Sequence, residues 1–324
     1  MTGAITIWVR DVTYIMNIDN TRQLQLDRES RGTRYYRNAV ERHWDPHDID
    51  LEADRERLVE YLRGVEEPER YFSVMRMGVA RFGAGEQAVT EDLAPLATAL
   101  DDIDDQMFVT TQMYEEGKHT DHFDRYWREV IHGVEAELGF ERSSPTDEEW
   151  FNDAYHDLFE RNERAMGALL EDPGPETFAE AYCHYHLVIE GILAQTGYYG
   201  MQQSYSEQSY PELPHLPGLY EGFTRIRQDE GRHVGFGMAK LKELVAEDGV
   251  DPALLDETVN ELLPLVNAIA ANPDDQYIED VGPEPTDLQS FAADKHIERM
   301  TQIKDAAEDV PDLDSLTELE GVGD

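Results

Sequence analysis

The sequence predicts an all-α protein whose core is a bundle of four long helices. From about residue 51 to 306, apolar residues recur at three-to-four spacing, and turn clusters such as SSPTDEE and YPELPHLPG separate the segments. We find no sustained alternation with a period of two, which is the pattern of a half-buried strand. The core is therefore expected to contain helices and no sheet.

Four of the periodic segments are longer than an average globular helix and are predicted to form the bundle. They cover residues 72–98, 101–135, 175–204 and 216–247. Shorter segments near residues 150–170, 251–271 and 280–306 are predicted to pack around the bundle as additional helices.

The chain divides into three predicted regions. Residues 1–50 form a lead-in in which Trp44-Asp45-Pro46 indicates a turn, because a proline disfavours the α conformation in the preceding residue. Residues 51–306 form the helical domain, and residues 307–324 form an acidic, flexible tail.

Composition limits the function classes. The net charge of −43 argues against nucleic-acid binding. Acidic residues are spread along the chain and lysine is scarce, which is typical of proteins that work in molar salt, so an extreme halophile is the expected source. Cys183 is the single cysteine, so no internal disulfide can form. Neither a secretory signal nor a membrane-spanning run is evident, which predicts a soluble, cytoplasmic protein.

Two Glu-x-x-His motifs predict a dinuclear metal site. Helical residues three apart are separated by about 60° around the axis, so the carboxylate and the imidazole face one point. The motifs are Glu116 to His119 and Glu230 to His233, and each follows an acid on the preceding long helix, Glu86 and Glu190 respectively. One acid from each of two helices and a Glu-x-x-His from each of the others is the ligand set of dinuclear carboxylate bundles.

A third Glu-x-x-His, Glu129 to His132, is expected to be surface. It lies 13 residues after Glu116, which turns it about 140° from the predicted site, and it has no matching acid. Glu190 stands instead in the apolar stretch LVIEGILAQ, where an unpaired carboxylate would cost several kcal/mol. The six ligands suit Fe and Mn better than soft metals, and such a pair is suited to oxygen chemistry.

These motifs resemble the ligand-binding oxidases related to the metal-carrying subunit of ribonucleotide reductase, which have a ferritin-like fold. The resemblance includes the six ligands, the HWDPHDIDLEADRERL lead-in and RIRQDEGRH. It implies that Trp44 and Asp229 connect by hydrogen bonds to His119. It also implies one Mn and one Fe (two Fe remain an alternative), activation of O₂, a long-chain fatty acid or similar hydrophobic ligand, and a homodimer.

The resemblance further implies an ether cross-link between Val89 and Tyr185. Val89 shares a helix face with Glu86, but an ideal helix would place Tyr185 about 140° from Glu190, so a π-bulge between them is required. Phe123 occupies the position of the reductase's radical tyrosine, Tyr277 is the last tyrosine of the chain, and the acidic tail contains no aromatic residue. These features favour an oxidase over a reductase subunit.

Three alternatives remain open: a ribonucleotide reductase small subunit, a hydrocarbon oxygenase and a metal store. For a hydrophobic ligand, the Met and aromatic residues between 72 and 113 are the candidate channel lining.

Overall fold

Helices make up most of the computed structural model, which describes residues 5–9, 12–16, 25–207, 210, 212–271 and 282–304. The α-helices are α1 (Arg31–Glu41), α2 (Glu52–Gly64), α3 (Pro68–Ala99), α4 (Ile103–Tyr126), α5 (His132–Leu138), α6 (Asp153–Ala168), α7 (Pro175–Tyr182), α8 (Gln195–Tyr205), α9 (Pro217–Ala246), α10 (Pro252–Ala270) and α11 (Pro285–Lys304). One π-helix, Trp127–Ile131, joins α4 to α5, and a second, Cys183–Ala194, joins α7 to α8.

The four predicted bundle segments correspond to α3, α4 with its π-helical extension into α5, the continuous α7–α8 helix, and α9. The shorter predicted helices correspond to α6, α10 and α11. The prediction of an all-α bundle with additional packing helices is therefore confirmed. No helix within the described ranges is both long and apolar enough to span a membrane.

Helix starts follow local capping chemistry. The Asp102 side chain accepts a hydrogen bond from the Asp104 amide at the start of α4, and Asn152 caps α6 in the same way through the Tyr155 amide. Proline occupies the first turn of α3 and α9, where its missing N–H costs no helical hydrogen bond. These signals fix where the long ligand-bearing helices begin.

The lead-in contains structure that the sequence pattern did not predict. Strands β1 (Ile5–Val9) and β2 (Val12–Met16) pair antiparallel, and α1 follows them in the chain. The two strands are too short for a sustained alternating pattern.

Helix α1 packs against α4 and α9. Thr33 Oγ1 donates a hydrogen bond to Asp104 Oδ1 over 2.8 Å. Gly32 permits this approach, since a Cβ there would lie 2.8 Å from the carbonyl carbon of Asp104. The lead-in thus contacts the bundle directly. Tyr277 and the predicted acidic tail lie outside the described residues.

The bundle has two apolar clusters, and the polar site lies where they meet. Along α3, Glu86 falls between Ala80 of one cluster and Val89 of the other. The same order holds along α9, where Glu230 follows Ile226 and precedes Val234. The polar cluster is consequently enclosed by apolar packing on both sides.

Candidate metal centre

All six residues predicted as ligands meet in the interior of the bundle. The structure places them in two overlapping groups, each with ligand atoms within 4.8 Å of one another: Glu86, Glu116, His119 and Glu230, and Glu116, Glu190, Glu230 and His233. Every one of the six is buried. Either group offers enough oxygen and nitrogen atoms to hold one metal ion.

Two of the carboxylates face both histidines. Glu116 Oε2 lies 3.2 Å from His119 Nδ1, and Glu116 Oε1 lies 3.1 Å from His233 Nδ1. Glu230 likewise directs Oε1 toward His119 Nδ1 (3.6 Å) and Oε2 toward His233 Nδ1 (3.5 Å). Glu116 and Glu230 are therefore positioned to bridge two metal ions.

The other two carboxylates each face one histidine. Glu86 Oε2 is 3.3 Å from His119 Nδ1, and Glu190 Oε1 is 3.4 Å from His233 Nδ1. Glu86 with His119, and Glu190 with His233, would therefore each serve one metal ion, whereas Glu116 and Glu230 would serve both.

Without metal, this cluster must hold protons. Burial raises the pKa of Glu86 to about 8 even though His119 opposes the shift. Burial, together with repulsion from Glu230, raises the pKa of Glu190 well above its usual range. Burial also acts against charge on His119, yet Glu86 and the other nearby acids raise the pKa of that ring well above its ordinary value. These raised pKa values show that the protein's own cationic groups do not compensate the negative charge of the buried carboxylates.

A pair of divalent ions fits these residues. Glu190 Oε2 and Glu230 Oε2 are buried atoms with no hydrogen-bond partner among the described residues. Buried carboxylate oxygens of this kind are costly unless a cation compensates them. Four carboxylates and two neutral imidazoles balance two divalent ions, so the donor set matches a dinuclear centre in both charge and chemistry.

The outer nitrogen of His119 is held by Asp229. His119 Nε2 lies 3.2 Å from Asp229 Oδ2, and Trp44 Nε1 donates to the same oxygen over 2.8 Å. The Trp44 ring also stacks on His119, with centroids 6.2 Å apart. Lys118 Nζ is 2.8 Å from Asp229 Oδ2 and lies over the Trp44 ring. Burial opposes ionisation of Asp229, but His119, Lys118 and Arg232 hold its pKa well below its usual range.

The outer nitrogen of His233 is held by Glu115, which the sequence reasoning missed. His233 Nε2 lies 2.9 Å from Glu115 Oε2. The guanidinium of Arg232, fully buried, bonds both Glu115 and Asp229 through Nη2, and its Nη1 donates to Asn38 of α1 over 3.2 Å. Such contacts orient ligand histidines.

A signal for these residues exists in the sequence. The two ligand segments read Glu-Glu-Gly-Lys-His at 115–119 and Asp-Glu-Gly-Arg-His at 229–233. In each, an acid precedes the ligand glutamate and a cation precedes the histidine. The structure shows the acids crossing over, because each one holds the histidine of the other segment.

Tyr185 is brought to the site by the second π-helix. The Cys183–Ala194 segment supplies the departure from ideal α geometry that a shared face with Glu190 requires. Tyr185 Oη donates to Glu116 Oε1 over 2.9 Å. Gln112 Nε2 donates to Tyr185 Oη (3.3 Å) and to Glu190 Oε1 (2.9 Å). Val89 is buried one turn after Glu86, in the same apolar cluster as Tyr185.

The remaining sequence candidates are not members of the two ligand groups. Phe123 is buried and packs against Phe82 and Phe223. Glu129 pairs with Arg125 at the surface, and His132 accepts a hydrogen bond from Arg142. The third Glu-x-x-His is therefore separate from the six-residue cluster, as predicted.

A cavity of about 250 Å³ reaches the four carboxylates. One wall comes from α3 and includes Met77, Phe82 and Val89. The lining residues on α3 run from Tyr71 to Val89, about 27 Å of helix axis, so the cavity extends along this helix. The expected lining from residues 72–113 is only partly correct. No residue from 90 to 113 lines the cavity, and the second π-helix and α8 supply the opposite wall.

No protein-family model matches the chain. Among solved structures, an R2-like ligand-binding oxidase variant with anaerobically reconstituted Mn/Fe cofactor is similar, with 29% identity, a TM-score of 0.72, and coverage of 86% of this chain and 95% of that chain. A second variant, with aerobically reconstituted Mn/Fe cofactor, gives 28% identity, a TM-score of 0.72 and the same coverage. A third carries a non-activated Mn/Mn cofactor and matches at 29% identity with a TM-score of 0.72, covering 86% and 95% of the two chains. The resemblance seen in the sequence is confirmed: the chain shares the ferritin-like helical fold of the R2-like ligand-binding oxidases and is similar to them over most of its length.

Proposed function

We propose that this protein is a dinuclear metal oxidase that activates O₂, forms an ether cross-link between Val89 and Tyr185, and binds a long-chain fatty acid. One observation carries the proposal: two four-residue ligand groups share Glu116 and Glu230, and the Tyr185 phenol is hydrogen-bonded to the shared Glu116. That arrangement places an oxidisable side chain beside a site for two metals.

Mn and Fe are the proposed metals. The similar solved structures carry Mn/Fe cofactors, and the carboxylate-rich ligand set suits both ions. Two Fe ions would meet the same charge balance. When bound, the pair would supply O₂ binding and the oxidising power that C–H cleavage requires.

Tyr185 is prepared for the reaction by its surroundings. Burial and the nearby acids, Glu116 foremost, raise the pKa of this phenol well above its ordinary value, so it stays protonated in the resting protein. Its proton already points at Glu116 Oε1. Glu116 can therefore accept that proton when the phenol is oxidised.

The proposed cross-link balances as a two-electron oxidation. The Val89 Cβ–H and Tyr185 Oη–H bonds break, and a Cβ–Oη bond forms. Two protons and two electrons leave the protein, with O₂ as their acceptor, so the chain loses the mass of two hydrogens. Val89 is suited to this because it is buried next to Glu86 along α3 and lines the cavity that reaches the site.

The cavity supports a hydrophobic ligand with one acidic end. It extends along α3, its lining is mainly apolar, and it meets Glu86, Glu116, Glu190 and Glu230. A fatty acid could place its carboxylate against bound metal ions and its chain along α3 and α8.

A hydrocarbon oxygenase is the second candidate, because the same cavity would admit a substrate chain to the site. Repeated turnover separates the two functions. An oxygenase would consume O₂ well beyond one equivalent per site when a hydrocarbon is added, whereas the cross-linking oxidase would stop.

Peptide mass spectrometry tests the cross-link. After loading with Mn(II) and Fe(II) and exposure to air, we expect a linked peptide pair containing Val89 and Tyr185 that is lighter by two hydrogens. Tyr185→Phe should abolish the pair. Tyr182→Phe is the matched control, because Tyr182 is a buried phenol one turn earlier in the same helix, and it should leave the link intact. Unlinked peptides in fully loaded wild-type protein would refute the proposal.

A further inference from the structure

The two histidine positions have matching outer partners, but the partners differ in what else they bind. Asp229 Oδ2 accepts a hydrogen bond from Trp44 Nε1 over 2.8 Å and forms an ion pair with Lys118 Nζ at 2.8 Å, in addition to its contact with His119 Nε2 at 3.2 Å. Glu115 Oε2 receives His233 Nε2 at 2.9 Å, and no other donor reaches that oxygen within the part of the chain that the structure describes. The outer partners of the two histidines therefore differ at the oxygen that faces the histidine, because Asp229 Oδ2 contacts two further cationic or N–H groups and Glu115 Oε2 contacts none of the described ones.

This difference has an electrostatic consequence for the two imidazoles. A carboxylate on the outer nitrogen of a ligand histidine makes the inner nitrogen a stronger donor to a metal. An ammonium and an indole N–H on the same oxygen draw charge away from that hydrogen bond, so Asp229 polarises His119 less than Glu115 polarises His233. The longer His119 contact, 3.2 Å against 2.9 Å, agrees with this order.

Burial makes the effect strong. Lys118, Asp229, Glu115 and Arg232 are all buried, so water does not screen their charges. Arg232 binds both acids and so contributes to both positions, whereas Lys118 makes its ion pair with Asp229. Among the groups that contact the outer partners of the two histidines, Lys118 and Trp44 are thus the ones that act on the His119 position alone.

We propose that Lys118 is a positioning residue that makes the two metal positions chemically unequal and directs Mn(II) to the position of Glu86 and His119. Nitrogen donors bind Fe(II) more strongly than Mn(II), so Fe gains most at the stronger imidazole, His233. Mn then takes the position where the imidazole is the weaker donor. The inference rests on the proposed dinuclear metal site.

Position-resolved metal occupancy tests the proposal. Protein is loaded without oxygen with equal amounts of Mn(II) and Fe(II), and anomalous diffraction at the Mn and Fe edges gives the occupancy of each position. In wild type, the Mn-to-Fe ratio should be higher at the Glu86–His119 position. Changing an outer partner of a ligand histidine alters metal affinity by about 10- to 100-fold, and Lys118 acts one contact further out, through Asp229, so Lys118→Met should lower that ratio by up to about 10-fold.

Two further variants separate this role from a purely structural one. Lys118→Arg keeps the cation and should restore most of the wild-type ratio. Trp44→Phe removes the indole donor while keeping a ring, and it should shift the ratio in the same direction as Lys118→Met, which keeps the test decisive if the lysine variant fails to fold. A structural role would lower both metals equally at both positions.

The outcomes are distinguishable from failure of the proposed function. Equal mixing of the metals in wild type, or an unchanged ratio in a folded Lys118→Met protein, would overturn the proposal; if that variant does not fold, an unchanged ratio in Trp44→Phe would overturn it. Because loading is anaerobic, the cross-link does not enter the measurement. Segregated metals with no Val89–Tyr185 link in air would refute the cross-linking function and leave the role of Lys118 standing.

Discussion

Side-chain charge dominates this protein at the residue scale. Four buried carboxylates converge within a few ångströms, and the free energy of keeping them there depends on which cations accompany them. Protons can serve in the absence of metal, as the raised pKa of Glu86 indicates. Metal ions and protons therefore compete for the same oxygens.

Metal removal should make stability sensitive to pH. The pKa of Glu86 is raised from 4.5 to about 8, and the pKa values of Glu190 and Glu230 are also raised. At a pH between the unfolded and the folded pKa of these groups, the folded metal-free state therefore binds more protons than the unfolded chain. The free energy of unfolding should then fall as pH rises from about 5 to about 8, by roughly 2–5 kcal/mol. His119 and His233, with raised pKa values, add to the fall above pH 6.5.

Urea unfolding at pH 5 and pH 8 checks this, with and without metals. The metal-loaded protein should lack the fall, because metal ions have replaced the protons. Glu86→Gln should reduce the slope in the metal-free protein, whereas Glu129→Gln, at an exposed ion pair, should not. Parallel pH profiles for metal-free and loaded protein would contradict the expectation.

Sequence reasoning identified the six residues that meet in the cluster and, through the resemblance, Trp44 and Asp229 beside His119, but it missed the residues that hold His233. The six candidates have a fixed spacing and order that recur in the chain, so a helical wheel was sufficient to bring them together. Glu115 and Arg232 were missed because their partners lie on another helix, and no spacing within one helix reveals which acid will face which histidine. The repeated acid–Glu–Gly–cation–His pattern was nevertheless visible in the sequence.

At the scale of elements, the second π-helix is the feature with the greatest effect on the site. Its wider turn allows Tyr185 to reach Glu116 while Glu190, five residues later, also faces the cluster. The need for this departure follows from the spacing of the two residues. Its extent, twelve residues, depends on packing that the periodicity of the sequence does not encode. Helix α1 and the β1–β2 hairpin were missed because short elements give weak periodic signals.

Gly197 of α8 and Phe82 of α3 both line the cavity and lie against each other. Gly197 on α8 faces Phe82, and a Cβ at position 197 would lie 2.5 Å from Phe82 Cζ. Phe82 is itself stacked between Phe123 and Tyr198, so it has little freedom to move. We expect Gly197→Ala to destabilise the protein by about 1–3 kcal/mol and to reduce the amount of ligand extracted from it.

Gly167→Ala in α6 is the matched control, since a Cβ there would meet no atom within 4 Å. It should raise stability by about 0.5–1 kcal/mol through helix propensity and leave the ligand unchanged. Denaturant titration and mass spectrometry of the extract measure both effects. A Gly197→Ala protein with wild-type stability and ligand content would show that this helix contact does not limit the cavity.

At the scale of the whole molecule, a net charge of −43 opposes the compact state through self-repulsion. Salt shortens the range of that repulsion from about 10 Å at 0.1 M to about 3 Å at 1 M. Raising KCl from 0.1 to 2 M should therefore raise the thermal midpoint by at least about 5 °C. Sucrose at matched osmolality is the control, because it strengthens burial without screening charge.

If sucrose raised the thermal midpoint as much as KCl does, the proposed role of charge repulsion would be contradicted.

The halophilic source, the homodimer and the cytoplasmic location stay predictions from the sequence. The helical fold is the whole-molecule property that the sequence predicted best, because long amphipathic segments leave few other ways to bury their apolar faces.

The crossing of Glu115 and Asp229 bears on whether the protein can be divided. Each Glu-x-x-His segment carries the acid that holds the other segment's histidine, so a fragment ending before α9 would contain His119 with nothing on its outer nitrogen from Asp229. Neither segment is a self-contained binding module. A substitution at Glu115 on α4 acts on His233 of α9, and a substitution at Asp229 on α9 acts on His119 of α4. The two segments can therefore be neither separated nor changed independently.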